Sequence, residues 1–80
     1  MKITIYSTPT CHYCHEAMEY FDSKGIKYEE VDVSKDLEKR AEMVKISDQR
    51  SVPVIVIDGQ VLLGWCEEKA EKMIKGVLKR

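Results

Sequence analysis

The stretch Ser-Thr-Pro-Thr-Cys-His-Tyr-Cys-His at residues 7–15 carries two cysteines three positions apart, Cys11 and Cys14. It follows a short β-branched run and opens a helical pattern, which places it at a predicted strand-to-helix junction. One helical turn brings positions i and i+3 onto the same face of a helix. The two sulfurs can therefore join as a disulfide or separate as a dithiol without refolding of the chain, and this favours redox chemistry.

Cys11 is predicted at the N-terminus of this helix, where unpaired backbone N–H groups and the helix dipole stabilise a thiolate. The helix end contributes only about 0.3–1 kcal/mol, so a neighbouring positive charge is also needed to activate the sulfur. When protonated, His12 and His15 are the candidates for this thiolate tuning. Each histidine is explained equally well as a solvated residue of the first helical turn, and both alternatives stay open.

Length, charge and cysteine content narrow the class of protein. The chain has 80 residues and a formal net charge of −1, which gives no electrostatic case for binding nucleic acid or a membrane surface. No apolar run approaches the ~18–20 residues of a membrane span, and no signal-peptide pattern precedes the first strand. Three cysteines are too few, and odd in number, for a disulfide scaffold. We therefore expect one monomeric domain over residues 1–80 in the reducing cytoplasm.

Hydrophobic periodicity predicts a βαβ unit in the first half of the chain. Residues 2–6 are β-branched and alternate in polarity, which predicts a strand. A helix that stops near Gly25 follows. Its inward stripe consists of Cys14, Ala17, Met18 and Phe21. A second strand is predicted over residues 28–33, and two strands joined by one helix should run parallel.

The middle of the chain is predicted to contain a second helix and a buried strand. Ser34 is the expected cap of this helix. Its sparse apolar face consists of Leu37, Ala41 and Val44. The apolar run over residues 52–57 is typical of a central strand that is buried on both faces.

A hairpin and a helix complete the predicted architecture. Asp58-Gly59 predicts a tight turn into a strand over residues 60–63. The last helix should carry an apolar stripe and end in basic residues that suit the helix dipole. The stripe consists of Ala70, Met73, Ile74, Val77 and Leu78, and the basic residues are Lys79 and Arg80. The order βαβ-α-ββα predicts an α/β fold with a four-stranded mixed sheet flanked by three helices.

Three motifs at these positions together resemble those of glutaredoxins. They are the Cys-x-x-Cys that opens the first helix, Ser-Val-Pro at residues 51–53, and the Asp-Gly hairpin that leads to Gly-Trp-Cys at residues 64–66. The resemblance covers essentially all 80 residues. It implies a thioredoxin fold and a dithiol–disulfide oxidoreductase that reduces protein or glutathione mixed disulfides. In that activity Cys11 attacks as the nucleophile and Cys14 resolves the mixed disulfide.

The resemblance also implies a substrate groove beside the cysteines. In glutaredoxins the proline that matches Pro53 follows a cis peptide bond and faces the cysteines, and the backbone of the residue that matches Val52 pairs with the substrate or glutathione. The other implied contacts are Tyr13, Arg50, Gly64, Trp65, Cys66 and Glu67. No tightly bound cofactor and no metal are implied, and glutathione is a possible reductant.

Three positions depart from the usual pattern of glutathione-dependent members. Thr8 stands where a lysine is usual, Trp65 follows Gly64 where a second glycine is usual, and His12 replaces a proline. The bulky Trp65 ring could obstruct the glutathione groove. The Ser-Thr-Pro-Thr-Cys segment and the single glycine are similar to those of redoxins reduced by thioredoxin reductase. The expected partners are disulfide-containing protein substrates and an electron donor, either glutathione or thioredoxin reductase.

Other interpretations of the cysteines stay open. Cys-x-x-Cys-His is also the attachment pattern for c-type haem, but that chemistry requires export. A zinc site could combine Cys11, Cys14, a histidine and Cys66. Some glutaredoxins bridge an iron–sulfur cluster between two subunits through the first cysteine and glutathione, which is the main alternative function. Cys66 itself is either a small buried apolar residue or an accessory thiol, and Trp65 is either a packing residue or part of the groove.

Overall fold

The structure, a computed structural model, describes residues 2–78, with only the backbone at Leu78. The elements follow the predicted order: β1 (Ile3–Ser7), α1 (His12–Ser23), β2 (Glu29–Asp32), α2 (Leu37–Ser47), β3 (Val54–Ile57), β4 (Gln60–Leu63) and α3 (Glu67–Leu78). The Leu78 side chain, Lys79 and Arg80, which were predicted in the core stripe and the final turn of the last helix, lie outside the described residues.

The strands form one mixed sheet in the order β2-β1-β3-β4. β1 runs parallel to β2 and antiparallel to β3, with Ile5 opposite Glu30 on one side and opposite Ile55 on the other. β3 and β4 form an antiparallel hairpin in which Ile55 lies opposite Leu62. The predicted mixed sheet is therefore confirmed, with β1 and β3 as its inner strands.

Alternation along the inner strands divides the core into two layers. Ile5 and Ile55 point to the side covered by α1 and α3, whereas Tyr6 and Val54 point to the side covered by α2. The first layer contains Ile3, Ile5, Ala17, Phe21, Ile55, Ile57, Leu62, Ala70 and Ile74. The second contains Tyr6, Val31, Val33, Met43 and Val54. Two helices pack on the first side and one on the second, so the second layer is the smaller.

Two turns follow the predicted glycine chemistry. α1 ends before Gly25, which has a φ of 69°, and the N–H of Ile26 closes the end by donating to the carbonyl of Phe21 at 2.9 Å. At the β3–β4 turn, Asp58 and Gly59 have φ values of 49° and 86°, the pair of positive values that a tight type I′ hairpin requires. Both predicted turns are confirmed.

The start of α2 differs from the prediction. Asp36, not Ser34, is the N-cap: its carboxylate accepts the backbone N–H of Lys39 at 3.1 Å. Ser34 instead donates its backbone N–H and its hydroxyl to the carboxylate of Asp32. These hydrogen bonds from Ser34 are the main reason that the pKa of Asp32 lies below its ordinary value. Ser34 therefore stabilises the turn after β2, which leaves the cap to Asp36.

The buried face of α2 also differs from the predicted one. Leu37 is 74% exposed, Ala41 is exposed and Val44 is half-buried, whereas Met43 is fully buried. The prediction was wrong for Leu37 and Ala41 but holds for Val44, which packs against the smaller core layer. α2 meets the sheet mainly through Met43, which lies in that layer with Tyr6 and Val54. A sparse apolar pattern does not specify which flank of a helix a neighbouring sheet will cover.

β3 is shorter than predicted, beginning at Val54 and not at Val52. The Val52–Pro53 peptide bond is cis, and Pro53 has no N–H to donate to the sheet. Val54, Ile55 and Ile57 are fully buried, so the expectation of a buried central strand holds for the part that pairs. No helix within residues 2–78 is long and apolar enough to cross a membrane.

Candidate redox site

One end of the sheet gathers several of the predicted site residues, because all four strands end or begin there. β1 ends at Ser7, whose neighbour in β2 is Asp32, and the loop to Cys11 follows. β3 begins at Val54, opposite Tyr6, so Pro53 lies at the same end. The N–H of Gly64, just after β4, donates to the carbonyl of Pro53 at 2.9 Å. This end of the sheet, which we call the redox edge, thus carries the loop over residues 8–11, Pro53 and the segment over residues 64–66.

Cys11 is the N-cap of α1. Its Sγ accepts the backbone N–H of Cys14 at 3.2 Å, and its own N–H donates to the carbonyl of Thr8 at 3.2 Å. A backbone N–H that points at the sulfur from the first turn of a helix stabilises negative charge on that sulfur. The predicted position of Cys11 at the start of the helix is therefore confirmed.

Cys11 and Cys14 are joined as a disulfide, with their Cα atoms 5.3 Å apart. Cys14 is fully buried in the first turn of α1, whereas Cys11 is half-buried. The spacing of the two cysteines thus brings their sulfurs together, as predicted. It also makes the two sulfurs unequal, since Cys11 alone is accessible from solvent.

The two histidines have different neighbours. The ring of His15 lies with Nε2 3.1 Å from the carbonyl oxygen of Pro9, in the loop before Cys11. The ring of His12 lies with Nε2 3.4 Å from a carboxylate oxygen of Glu16, and its side chain is 83% exposed. Neither of these contacts is with a cysteine sulfur, and only His15 contacts the loop before Cys11.

Two predicted contact residues, Tyr13 and Val52, are accessible to solvent. Tyr13, between the two cysteines in sequence, is 59% exposed. Val52 is half-buried and precedes the fully buried Pro53. The cis bond at Pro53 agrees with what the resemblance implied. The substrate contacts that the resemblance implies for Tyr13 and Val52 stay predictions.

Trp65 packs against α1. Its ring centroid lies 5.4 Å from that of Tyr20 and 5.9 Å from that of Phe21, and it contacts the larger core layer. Glu67 is the exposed first residue of α3. With Glu16, Glu19, Tyr20 and Ser23, these two residues line a cavity of about 500 Å³ on the flank of α1. The structure therefore supports the packing alternative for Trp65, and its place in a substrate groove stays a prediction, because neither cysteine lines this cavity.

Cys66 lies between the redox edge and α3. It is half-buried, it is unpaired, and its carbonyl accepts the N–H of Ala70 at 2.9 Å in the first turn of that helix. Within residues 2–78, no three side chains of the His, Cys, Asp or Glu type are grouped so that they could hold a metal ion. Zinc ligation by Cys11, Cys14, a histidine and Cys66 is therefore not supported by the arrangement of these side chains.

Arg50, two residues before Val52 in the chain, lines a different cavity from Trp65 and Glu67. It lines a second cavity, of about 440 Å³, together with Leu37, Arg40, Ala41 and Val44 of α2. That cavity is on the α2 side of the sheet, whereas Trp65 and Glu67 lie on the side covered by α1 and α3. The structure thus brings Cys11, Cys14, Pro53 and Gly64 to one edge, while Arg50 lines the cavity beside α2, and Trp65 and Glu67 line the cavity beside α1.

Two residues at this site were not predicted from the sequence. Pro9 contributes the carbonyl that meets His15, and Tyr20 provides the ring on which Trp65 packs. Tyr20 directly precedes Phe21 of the predicted apolar stripe, so its position on the flank of that stripe was the available signal. The Pro9 contact has no sequence signal, because it depends on how the loop folds over the helix.

A β2-β1-β3-β4 sheet that carries a cysteine pair at the start of its first helix, and a cis-proline at the same edge, defines a thioredoxin-fold redoxin. Comparison with known proteins narrows this class. The family model "Glutaredoxin" matches residues 3–62. The chain is 44% identical over 73 residues to an uncharacterized glutaredoxin-like 8.6 kDa protein in the rubredoxin operon of Clostridium pasteurianum, covering 91% of this chain and 97% of that protein.

Two Escherichia coli proteins extend the comparison. Glutaredoxin 3 of strain K12 is 39% identical over 67 residues, which cover 84% of this chain and 80% of that protein. The solved structure of the glutaredoxin-like protein NrdH-redoxin superposes with a TM-score of 0.79 at 25% identity, covering 90% of this chain and 93% of that one; its activity profile is described as thioredoxin-like. The chain belongs to the glutaredoxin family and is a thiol–disulfide oxidoreductase.

Proposed function

We propose that the protein reduces disulfides of partner proteins by two-step thiol exchange, in which Cys11 attacks and Cys14 resolves. The observation that carries this assignment is the unequal exposure of the two sulfurs, since Cys11 is half-buried at the helix start and Cys14 is fully buried. A disulfide held in another protein can meet only an accessible sulfur. The N–H of Cys14, which donates to the Cys11 Sγ at 3.2 Å, supports the thiolate needed for attack.

The two steps transfer one electron pair. The Cys11 thiolate attacks one sulfur of the substrate disulfide, a new S–S bond forms, and the second substrate sulfur leaves as a thiolate that takes up a proton. Cys14 then loses its proton and attacks the Cys11 sulfur, which breaks the mixed disulfide and releases the first substrate sulfur as a thiolate. The substrate gains two electrons, and the protein is left as the Cys11–Cys14 disulfide seen in the structure.

Substrate approach is proposed to involve Tyr13, Val52 and Pro53. Tyr13 offers an exposed ring beside Cys11, and residues 52–53 lie at the redox edge before the paired part of β3. A substrate backbone that runs past Val52 would place its cysteine over Cys11. We further place this activity in the cytoplasm, because a protein that must return to its dithiol form needs a reducing compartment.

Trapping of the mixed disulfide tests the roles of the two cysteines. A Cys14→Ser variant should stop after the first step and remain covalently bound to a disulfide substrate, as measured by non-reducing mass spectrometry. Cys11→Ser should form no adduct. Cys66→Ser is the matched control and should turn over like the wild type. Full reduction of protein disulfides by Cys11→Ser, or an adduct that depends on Cys66, would contradict the assignment.

For the electron donor we propose thioredoxin reductase. Glutathione carries a net negative charge, yet position 8 is the neutral Thr8. Glu67, which is among the implied contacts, also lines the cavity on the flank of α1 together with the acidic Glu16. Arg50, the basic residue among the implied contacts, lines the cavity beside α2 and not this one. The similarity to NrdH-redoxin, with its thioredoxin-like activity profile, agrees with a protein donor. These charges disfavour a small anionic tripeptide, whereas a protein donor can distribute its contacts over a larger surface.

Glutathione is the second candidate, and one observation favours it. The Trp65 ring packs on Tyr20 and Phe21, so it is directed to α1 and not across the redox edge. Oxidised protein should therefore be offered two systems in parallel: thioredoxin reductase with NADPH, and glutathione with glutathione reductase and NADPH. Turnover with the first alone supports the proposal. Faster turnover with glutathione contradicts it, and turnover with neither system favours the iron–sulfur alternative.

A further inference from the structure

The outer edge of β4 is an open strand edge. β4 occupies the end of the β2-β1-β3-β4 sheet and pairs with β3 from Gln60 to Leu63. Within residues 2–78 it has no second strand neighbour, so alternate backbone N–H and C=O groups point outward. Such an edge is a template for a further strand.

Apolar side chains accompany this edge. Val61 and Leu63, two positions apart on one face of β4, are 37% and 52% exposed, whereas Leu62 between them is buried beneath α3. The edge opens into a cavity of about 460 Å³. Its lining consists of Val61, Leu62, Leu63, Lys69, Lys72 and Met73. The groove is therefore apolar along the strand and basic along the helix.

We propose that β4 docks an extended segment of a partner protein by strand addition, and that acidic and apolar residues alternate in this segment. Side chains of an added strand point alternately to the two faces of the sheet. Those on the α2 side meet Val61 and Leu63, which suits apolar residues. Those on the α3 side meet Lys69 and Lys72, which suits Asp or Glu.

The basic side of the groove has no charge partner in the described structure. Lys75, on the same helix, lies 3.1 Å from Glu71, but neither Lys69 nor Lys72 forms an ion pair within residues 2–78. Opposite charges across neighbouring strands and helices stabilise a docked segment, and like charges oppose docking. The two lysines therefore select an acidic segment.

The same charges disfavour a second copy of this chain as the occupant. β4 has the sequence Gln-Val-Leu-Leu and carries no acidic residue. Pairing of two β4 edges would also bring Lys69 and Lys72 of one copy towards those of the other. The occupant that fits is a different protein. Since Gly64 follows β4 and bonds to Pro53, a docked segment would run to the redox edge and hold its protein there.

Titration of 15N-labelled protein with the blocked peptide Val-Glu-Val-Glu-Val-Glu tests the proposal. Amide shifts should concentrate in residues 60–63 and around Lys69 and Lys72. The double variant Lys69→Glu/Lys72→Glu should weaken binding by about tenfold or more, since two exposed attractions become repulsions. Lys75→Glu is the matched control, because it reverses a charge on α3 outside the groove, and it should bind within about twofold of the wild type.

Three results would overturn the proposal. They are shifts that map elsewhere, equal binding of the peptide Val-Lys-Val-Lys-Val-Lys, and dimerisation of the free protein through β4. The docking proposal does not rest on the disulfide chemistry. An assay of the reduction of a small-molecule disulfide therefore tests the proposed function separately from docking. The double variant should retain the wild-type rate in that assay. If the protein binds the peptide but does not reduce disulfides, the docking proposal is supported and only the proposed function is contradicted.

Discussion

The ring of His15 ties the first turn of α1 to the loop that precedes Cys11, with Nε2 3.1 Å from the carbonyl oxygen of Pro9. A carbonyl can only accept, so Nε2 carries the proton whether the ring is neutral or charged. The two residues lie on either side of Cys11 in the chain, so their contact closes the segment that carries the accessible sulfur. His15 is therefore a positioning residue for the loop that leads to Cys11.

Removal of this contact should slow the reaction of Cys11. His15→Ala, in a reduced Cys66→Ser background, should lower the rate of Cys11 alkylation by iodoacetamide about 2- to 10-fold, the range that follows from loss of one hydrogen bond. His15→Gln keeps a side-chain donor and should restore part of the rate.

His12→Ala is the matched control for His15, because His12 contacts Glu16 in place of the loop. It should change the alkylation rate by less than the His15→Ala variant does. An equal or larger effect of His12→Ala would show that charge near the helix start matters more than the position of the loop. Measurement of the rate across the titration range of histidine separates the two causes, since the hydrogen-bonding effect persists when the ring is neutral.

The buried face of α2 predicts unequal effects of two apolar truncations. Met43→Ala removes a fully buried side chain between Tyr6 and Val54 and should lower the free energy of unfolding by about 2–5 kcal/mol. Leu37→Ala, at a position that is 74% exposed, should change it by about 0.5 kcal/mol or less. Urea unfolding of both variants measures the difference. Similar losses would mean that α2 is rotated so that Leu37 also meets the sheet.

The cap of α2 can be assigned in the same way. Asp36→Ala removes the carboxylate that accepts the Lys39 N–H and should cost about 0.5–2 kcal/mol of unfolding free energy. Ser34→Ala removes an exposed hydroxyl that donates to Asp32, and it should cost about 0.5 kcal/mol or less. Thermal and urea unfolding provide the comparison. A larger loss of unfolding free energy for Ser34→Ala than for Asp36→Ala would show that Ser34, which the sequence pattern favours, is the N-cap of α2.

The order of elements and the cysteine pair were predictable because they depend on local signals. Alternation in residues 2–6, the i, i+3, i+4 stripe of α1 and the Asp58-Gly59 turn each specify their element within a few residues. The spacing of Cys11 and Cys14 alone determines that their sulfurs share a helical turn. These features do not depend on how the rest of the chain packs.

The features that were missed depend on tertiary packing. Burial of Met43 in place of Leu37 follows from the angle at which α2 lies on the sheet. Arg50 and Trp65 were grouped by family resemblance, and the structure shows them lining two different cavities, one beside α2 and the other beside α1. Neither result can be read from a helical or strand period, because both depend on which face of the sheet each connection reaches.

The hydroxyl of Tyr6 couples the sheet to α2 and predicts how stability changes in alkali. It donates to Glu42 Oε1 at 3.0 Å beside the buried Met43 layer. Burial, followed by this hydrogen bond and the charge of Glu42, raises the pKa of Tyr6 from 10.0 to about 12. The folded protein therefore holds the phenol proton more tightly than the unfolded chain does.

A folded pKa above the unfolded value adds stability that is fully present below 10.0 and is lost as the pH rises towards about 12. The free energy of unfolding, measured with urea below pH 10.0 and again near pH 12, should fall more for the wild type than for Tyr6→Phe. The variant has no phenol proton to release. Glu42→Gln removes the charge and should lower the pKa of Tyr6, which the ultraviolet absorbance of tyrosinate reports. Tyr28→Phe is the control for tyrosine ionisation on the other side of the sheet, where burial also raises the pKa. Equal alkaline losses for the wild type and Tyr6→Phe would mean that the Tyr6–Glu42 contact does not link α2 to the sheet in solution.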